Sequence, residues 1–414
     1  MGNNMRKITI IGGGQSGLQL AIGLIKAGNS VRVVQNRTAE DIAQGKVMSS
    51  QCMFHNSVEH ERELGIDFWA DTCPPVDGIN FQVPAPDGSG NKAIDWTGRL
   101  DHSAYSVDQR VKIPAWMAEF ERLGGTLTIK DASISDLEHY SRQDDLVIVA
   151  SGKGDIGRLF ERDAEKSPYE TPQRALALTY VTGMTPRPEH SAVCFNLIPG
   201  VGEYFVFPAL TTSGPCEIMV FEGVPGGPMD CWADVKTPEQ HLATSKKILE
   251  TFLPWEAARC ESIELSDDNG ILAGRFAPTI RKPIGTLPSG RQVLGLGDAV
   301  CLNDPITGQG SNNAAKAAAV YLKRIVAHGD KPFDAAFMQG TFDEFWDYAQ
   351  WVVSWTNMML QPPPPFILNI MGTACVEPRL AHRMANGFDD PRDFFPWFAD
   401  PDAAEAYLTE LKAA

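Results

Sequence analysis

The stretch Lys7–Asn36, KITIIGGGQSGLQLAIGLIKAGNSVRVVQN, decides the fold. A short apolar run ends in Gly12-x-Gly14-x-x-Gly17, a helical pattern continues through Lys26, Gly28 closes it, and SVRVV supplies a second apolar run. This is the layout of a strand–helix–strand unit in which each glycine has its own task. The first makes the tight turn, the second lets a pyrophosphate approach the backbone, and the third lets helix and strand pack closely. Gln15 and Ser16 complete the turn, which predicts an adenine dinucleotide site. The acid that ordinarily holds the ribose hydroxyls is expected near residue 35. Gln35 stands there, followed by Asn36 and Arg37. A neutral amide binds a ribose less strongly than a carboxylate, so the dinucleotide is expected to be held less firmly than a permanent cofactor. Arg37 keeps a 2′-phosphate, and hence NADP, open at this point.

A second glycine loop bears on that choice. Gly297–Gly310 reads GDAVCLNDPITGQG, after the apolar run RQVLGL and before the alanine-rich SNNAAKAAAVYLKRIVAHG. A nicotinamide cofactor needs one glycine turn around its pyrophosphate. A flavin needs a second contact, because its ribityl chain and isoalloxazine extend away from the first. Asp298, beside Gly297, suits the ribityl hydroxyls. Pro305, Gly308 and Gln309 form a turn with exposed N–H groups, and Gly310 and Ser311 open a helix whose positive end can face the flavin pyrimidine. A third element, YSVDQRVKIPAWMAEFERLGG, reads as an amphipathic helix behind Asp108-Gln109-Arg110. From there Arg110 either reaches back to the flavin side of the first turn or stays in a salt bridge. Together these elements predict FAD.

Composition narrows the class. The 414-residue chain is 43% hydrophobic with a net charge of −16, enough to bury a large core and without the basic block of a nucleic-acid binder. Eight cysteines show no C-x-x-C and no pairing rhythm, which reads as reduced thiols. The beginning of the chain runs into a predicted strand without the pattern of a signal peptide, and no apolar run is long enough for a membrane span. A cytoplasmic protein with neither nucleic-acid nor membrane partner is expected.

DDLVIVASGKGDIGRLF repeats the glycine spelling at Gly152-x-Gly154-x-x-Gly157. The residues after it, RLFERDAEKSPYETPQRALA, are broken by prolines and contain no second buried strand. A nicotinamide site is therefore not expected there. No other candidate occurs, so the protein is not expected to reduce its own flavin.

The order of these elements resembles the flavoprotein monooxygenases related to p-hydroxybenzoate hydroxylase. A narrower resemblance runs along nearly the whole chain. FHNSVEHERELG, SPYETPQRAL, GLGDAVCLNDPITGQGSNNA and WTNMMLQPPPPF resemble segments of the oxygenase subunit of two-component styrene and indole monooxygenases. The resemblance implies an α/β fold with a Rossmann-like FAD domain of the glutathione-reductase type, an inserted antiparallel-sheet substrate domain and a helical C-terminal region. The FAD domain is expected to be discontinuous over 1–70, 101–165 and 285–340, with the substrate sheet in 71–100 and 166–284 and the helical region in 341–414. Aromatic residues after 340 suit core packing, pocket walls or a subunit interface, and a homodimer is compatible with the family.

No Ser-His-Asp, zinc-spaced or paired-carboxylate set emerges, and no metal is expected. The resemblance implies that FADH2 from a separate reductase reacts with O2 to a flavin C4a-hydroperoxide. Its distal oxygen is electrophilic and epoxidises an aromatic alkene or indole. By resemblance, Gln51, Met53 and His55 fall on a helix lining the substrate cavity. The styrene-type pattern carries Asn, Val and His at these places and the indole-type Ser, Gln and Met, so this hybrid set leaves the substrate open. A single-component NAD(P)H-dependent hydroxylase and a non-catalytic flavin carrier are the competing readings. The W-x-W-x-I-P signature of a halogenase is absent.

Overall fold

A computed structural model describes residues 5–152 and 154–413. The apolar run ahead of the first glycine turn forms the strand Lys7–Ile11, at the middle of a six-stranded sheet. The order is Ile284–Thr286, Gln292–Gly295, Leu146–Val149, Lys7–Ile11, Ser30–Gln35, Thr126–Ile129. All neighbours are parallel except the first pair, a hairpin. Ile8, Ile10, Val33, Ile148, Val293 and Leu294 are fully or almost fully buried, as expected of a parallel sheet covered on both faces. Chain order reverses at Lys7–Ile11, so the crevice beyond its carboxyl end is a topological switch point, where such sheets bind ligands.

The helix Gln15–Lys26 buries ten residues on this sheet and lies beside the late helix Gly310–His328. The Gln19 amide donates to the Ala315 carbonyl at 2.9 Å, and Leu322 packs over Gly23. Contacts therefore advance together along both helices, which run parallel and begin at the same end.

The second layer is an eight-stranded sheet. Along its main path run Glu264–Leu265, Ala175–Thr182, Gly214–Gly223, Gly202–Thr211, Val193–Ile198, Pro75–Pro84 and Lys92–Tyr105, with Ile271–Gly274 also on Ala175–Thr182. It departs from a purely antiparallel insertion at one place. Pro75–Pro84 and Val193–Ile198 pair in parallel, because they come from two separate excursions of the chain rather than from one hairpin. One face packs on the helix Pro238–Phe252, and the other faces the late glycine loop and the C-terminal helices. Lys92–Tyr105 carries this sheet past residue 100, up to the N-terminus of the helix Gln109–Arg122.

The C-terminal region starts with the helix Ala335–Met359 and turns at the tetraproline into Pro365–Ala374, whose first residue is the last of those prolines. A proline there is harmless, since its missing N–H would have had no partner within the helix. Among the described residues no helix is long and apolar enough to cross a membrane, and all eight cysteines are free thiols.

Candidate functional site

Gly12, Gly14 and Gly17 each do something different in the first turn. Gly12 has φ of 109°, in the region that favours glycine. A Cβ on Gly17 would lie 1.9 Å from the Gly12 carbonyl oxygen, so only glycine lets the helix start this close to the strand. A Cβ on Gly14 would meet nothing within 4 Å: this backbone is bare and exposed. Buried Gln15 and Ser16 follow it.

The late loop folds onto this turn. Gly297 has φ of 60°, and a Cβ there would sit 2.6 Å from Ser16 Oγ. Asp298 is exposed beside it. Asp304 accepts from the Ile306 N–H at 3.0 Å and caps the short turn Pro305–Thr307, and Gly308, with φ of 64°, redirects the chain into Gly310–His328. Gly308 and Gly310 are as bare as Gly14, and Ser311 is half-buried in the first turn of the helix. Gln309 is buried and donates to the Phe388 carbonyl at 2.9 Å. Neither this helix nor Gln15–Lys26 has a side-chain cap or an acidic residue in its first turn. Two uncapped, parallel helix N-termini thus open side by side, each with a glycine leaving room for a ligand. Unsatisfied N–H groups at the positive ends of helix dipoles favour anions. The residues present fit a dinucleotide gripped at two places.

At the ribose position, the Gln35 side chain lies against Gly13, where a Cβ would come 2.0 Å from its Oε1. Its amide donates to the Arg37 carbonyl at 2.9 Å. Asn36 is exposed, and Arg37 is half-buried with its guanidinium on Met48 Sδ. Arg110 is buried, and its donors go to Asp108, to Asp267 at 2.9 Å and to Thr211 at 3.1 Å. It ties the start of the helix Gln109–Arg122 to the strand Gly202–Thr211 through Thr211 and to the turn at Asp267 through an ion pair, and its donors are not turned to the glycine turn.

The segment expected on a pocket helix is different in form. Gln51 and Met53 precede the helix, which spans His55–Glu63; only His55 lies on it. Met53 exchanges backbone hydrogen bonds with Tyr105, and the Phe54 N–H is taken by Asn312 Oδ1 at 2.9 Å, so the segment stays extended until His55. Buried Gln51 accepts from Ser49 at 3.0 Å, and its Nε2 has no protein partner. His55 stacks on His102 with 3.9 Å between ring centroids and faces Glu59 at 3.8 Å. Burial drives the Cys52 thiol far above its usual pKa, so it stays a neutral, unreactive thiol.

An apolar cavity opens beneath the late loop. Ile306 and Thr307 form one wall, with Phe81 and Phe195 from the sheet and Trp355 and Phe388 from the C-terminal region opposite. Gln51, Met53 and His55 are not in its walls. Cys52 and Phe54 belong to the same apolar cluster, and Phe54 packs on Phe388 at 5.8 Å.

Sequence reasoning missed two supports. Asn312 donates to the carbonyls of Cys52 and Gly308 at 2.8 and 3.0 Å, so one amide ties the extended segment before His55 to the late loop; its place three residues after Gln309 was the only signal. Behind the first turn, Lys112 and Glu61 form a buried ion pair at 2.6 Å. Gln15 donates to Glu61 at 2.9 Å, and Lys112 Nζ lies 3.3 Å from Met53 Sδ. Lone charges on helices carry no sequence signal of such pairing.

Comparison with known proteins agrees with this geometry. Residues 152–259, which include four strands of the eight-stranded sheet and the helix covering it, match the family model described as the styrene monooxygenase A putative substrate binding domain. The chain is 29% identical to Styrene monooxygenase StyA of Pseudomonas fluorescens over 408 residues, 96% of each chain. It is also 29% identical to StyA of a Pseudomonas species over 417 residues, 98% of each. Among solved structures, the flavin-dependent brominase Bmp2 superposes with a TM-score of 0.63 at 15% identity, covering 98% of this chain and 100% of that one. The p-nitrophenol 4-monooxygenase PnpA of Pseudomonas putida DLL-E4 gives 0.65 at 12% identity, covering 94% and 98%. Likeness at this level of identity concerns the fold.

Proposed function

We propose that this chain, a flavoprotein oxygenase of the styrene monooxygenase type, epoxidises an aromatic alkene or indole with FADH2 from a separate NADH-dependent reductase. One observation carries the reading. The loop that brings the bare N-terminus of Gly310–His328 to the dinucleotide crevice is also a wall of the apolar cavity, through Ile306 and Thr307. Cofactor and substrate are thereby held on two sides of one loop.

Bound reduced FAD supplies the activation of O2 and the electrophilic oxygen. The chain supplies the rest. Gly12, Gly14, Gln15, Ser16 and Gly17 hold the pyrophosphate, Gln35, Asn36 and Arg37 the adenosine end, and Gly297 and Asp298 the ribityl chain. Gln309, Gly310 and Ser311 present N–H groups to the flavin pyrimidine, Pro305 and Gly308 shape the turn that aims them, with the Gly308 N–H held by the Pro305 carbonyl at 2.8 Å, and Arg110 braces the two layers from behind. Phe81, Phe195 and Trp355 exclude water and hold an aromatic ring. Behind the cavity, in the segment whose Cys52 and Phe54 join its apolar cluster, the unpartnered Gln51 amide can donate to a polar group of the bound flavin or substrate, while Met53 and His55 hold that segment in place. The turn at Gly152–Gly157 supports the need for a reductase: its helix has four residues, and the next strand leaves for the other sheet. Eight free thiols suit a reducing cytoplasm.

The test uses purified protein, photoreduced FAD and styrene mixed without oxygen and then aerated. Styrene oxide should form, and NADH with oxidised FAD should give none until a flavin reductase is added. NADH oxidation by the chain alone would overturn the two-component reading.

A further inference from the structure

The PQRAL segment takes no part in the site above, yet its Arg174 is 6% exposed and sits among three buried carboxyls. Strand register puts them there. Glu222 on Gly214–Gly223 is directly opposite Glu203 on Gly202–Thr211, and Arg174 immediately precedes the next strand of the sheet. Arg174 engages Glu203 in a two-pronged pair at 2.6 and 2.9 Å and donates to the Leu360 carbonyl at 3.2 Å. The third carboxyl, Asp304, comes from the late loop. Glu203, Glu222 and Asp304 are 3%, 0% and 1% exposed.

One cation thus stands against three carboxyls. Arg174 neutralises Glu203, which leaves Glu222 and Asp304 facing each other. Neither Glu222 oxygen receives a hydrogen bond from a protein donor. Two carboxylates cannot both stay ionised at such a place, because burial and mutual repulsion each oppose the second charge. We infer that Glu222 and Asp304 hold one proton between them, and that this proton positions the Pro305–Gly310 loop against the substrate-side sheet. The inference rests on the reading of that loop as a flavin contact. Asp304 Oδ1 also caps the turn at Ile306, so its place sets the loop's shape.

Burial pushes Glu222 well above the usual carboxyl range, Asp304 and Glu203 push it further, and Arg174 opposes them. Burial also raises Asp304, against its bonds to Glu222 and Ile306. A carboxyl with a raised folded pKa contributes stability below its ordinary pKa and loses it as pH rises through the folded value. On the alkaline side the proton passes to solvent, the two charges repel, and the loop loses its anchor.

Glu222→Gln offers Asp304 an amide donor in place of the shared proton and removes the titrating group. The infrared spectrum of the cofactor-free protein in neutral D2O should contain a protonated-carboxyl C=O band that is absent from Glu222→Gln. No such difference would overturn the shared proton. FAD affinity, followed by flavin fluorescence, should weaken about tenfold from neutral pH to about pH 10, equivalent to one pKa unit of linkage, and stay flat in Glu222→Gln. Parallel curves for the two proteins would overturn the positioning role. The band without any FAD binding would instead overturn the flavin reading. Asp304→Asn, donating the same bond from the other side, replaces Glu222→Gln in both measurements should that variant fail to fold.

Discussion

Gly12-x-Gly14-x-x-Gly17 and Gly152-x-Gly154-x-x-Gly157 share a spelling and much of a local shape. Each follows a strand of the same parallel sheet, and the two strands are neighbours. In each, the last glycine closes on the first: a Cβ would lie 1.9 Å from the Gly12 carbonyl oxygen in one and 2.3 Å from that of Gly152 in the other. They part at the next step. The first turn opens a helix of 12 residues that leads to a parallel partner strand; the second opens one of 4 residues, after which the chain leaves the sheet. A single turn sums few peptide dipoles and offers an anion little. Gly152 instead lets the backbone pass beside the late loop, where a Cβ would be 3.2 Å from the Asp298 carbonyl oxygen. A glycine spelling describes a turn, and the helix behind it decides whether a phosphate can use that turn.

The supports of the two turns differ as much, and the largest expected effect lies there. Lys112→Met strands Glu61 as a buried lone charge behind Gln15 and should destabilise the protein by about 3–5 kcal/mol in urea unfolding. The Asp155–Arg158 pair of the second turn, also short at 2.5 Å, is exposed on both sides, so Arg158→Ala should leave the unfolding midpoint where it is. Equal losses would erase the distinction between scaffold and surface.

The bare glycines separate ligand from fold. Gly14→Ala places a methyl in open space and should leave unfolding unchanged while weakening FAD binding at least about tenfold, the loss of roughly one hydrogen bond to a charged phosphate. Gly154→Ala should do the reverse. Its φ of 63° makes any side chain cost about 1 kcal/mol of stability, with FAD affinity untouched. Titrating both variants with FAD beside urea curves would expose a crossed pattern or its absence.

The smallest effect sharpens the first turn alone. Gln35→Glu restores the acid that usually ends this strand and should tighten FAD binding by about fivefold, the margin of a charged over a neutral hydrogen bond. The gain is limited because the Gln35 amide also donates to the Arg37 carbonyl, a bond a carboxylate cannot make. Affinity unchanged or weaker in calorimetry would show that residue 35 does not meet the ribose.

What could be read from the residues alone was local. Glycine spacing, strand–helix alternation and the proline-broken stretch after Gly157 identify the dinucleotide fold, its second loop and the false repeat, because each depends on neighbours a few residues away. The tertiary structure decided the rest. It gave Arg110 to Asp108 and Asp267, kept Gln51 and Met53 extended by pairing with Tyr105 and holding Phe54 on Asn312, and built the cavity from three distant segments. Above all, it brought Glu203, Glu222 and Asp304 around Arg174, through strand register and the return of a loop some eighty residues later in the chain. Opposite or like charges far apart in sequence leave no periodic trace, and only burial turns their meeting into an energetic fact.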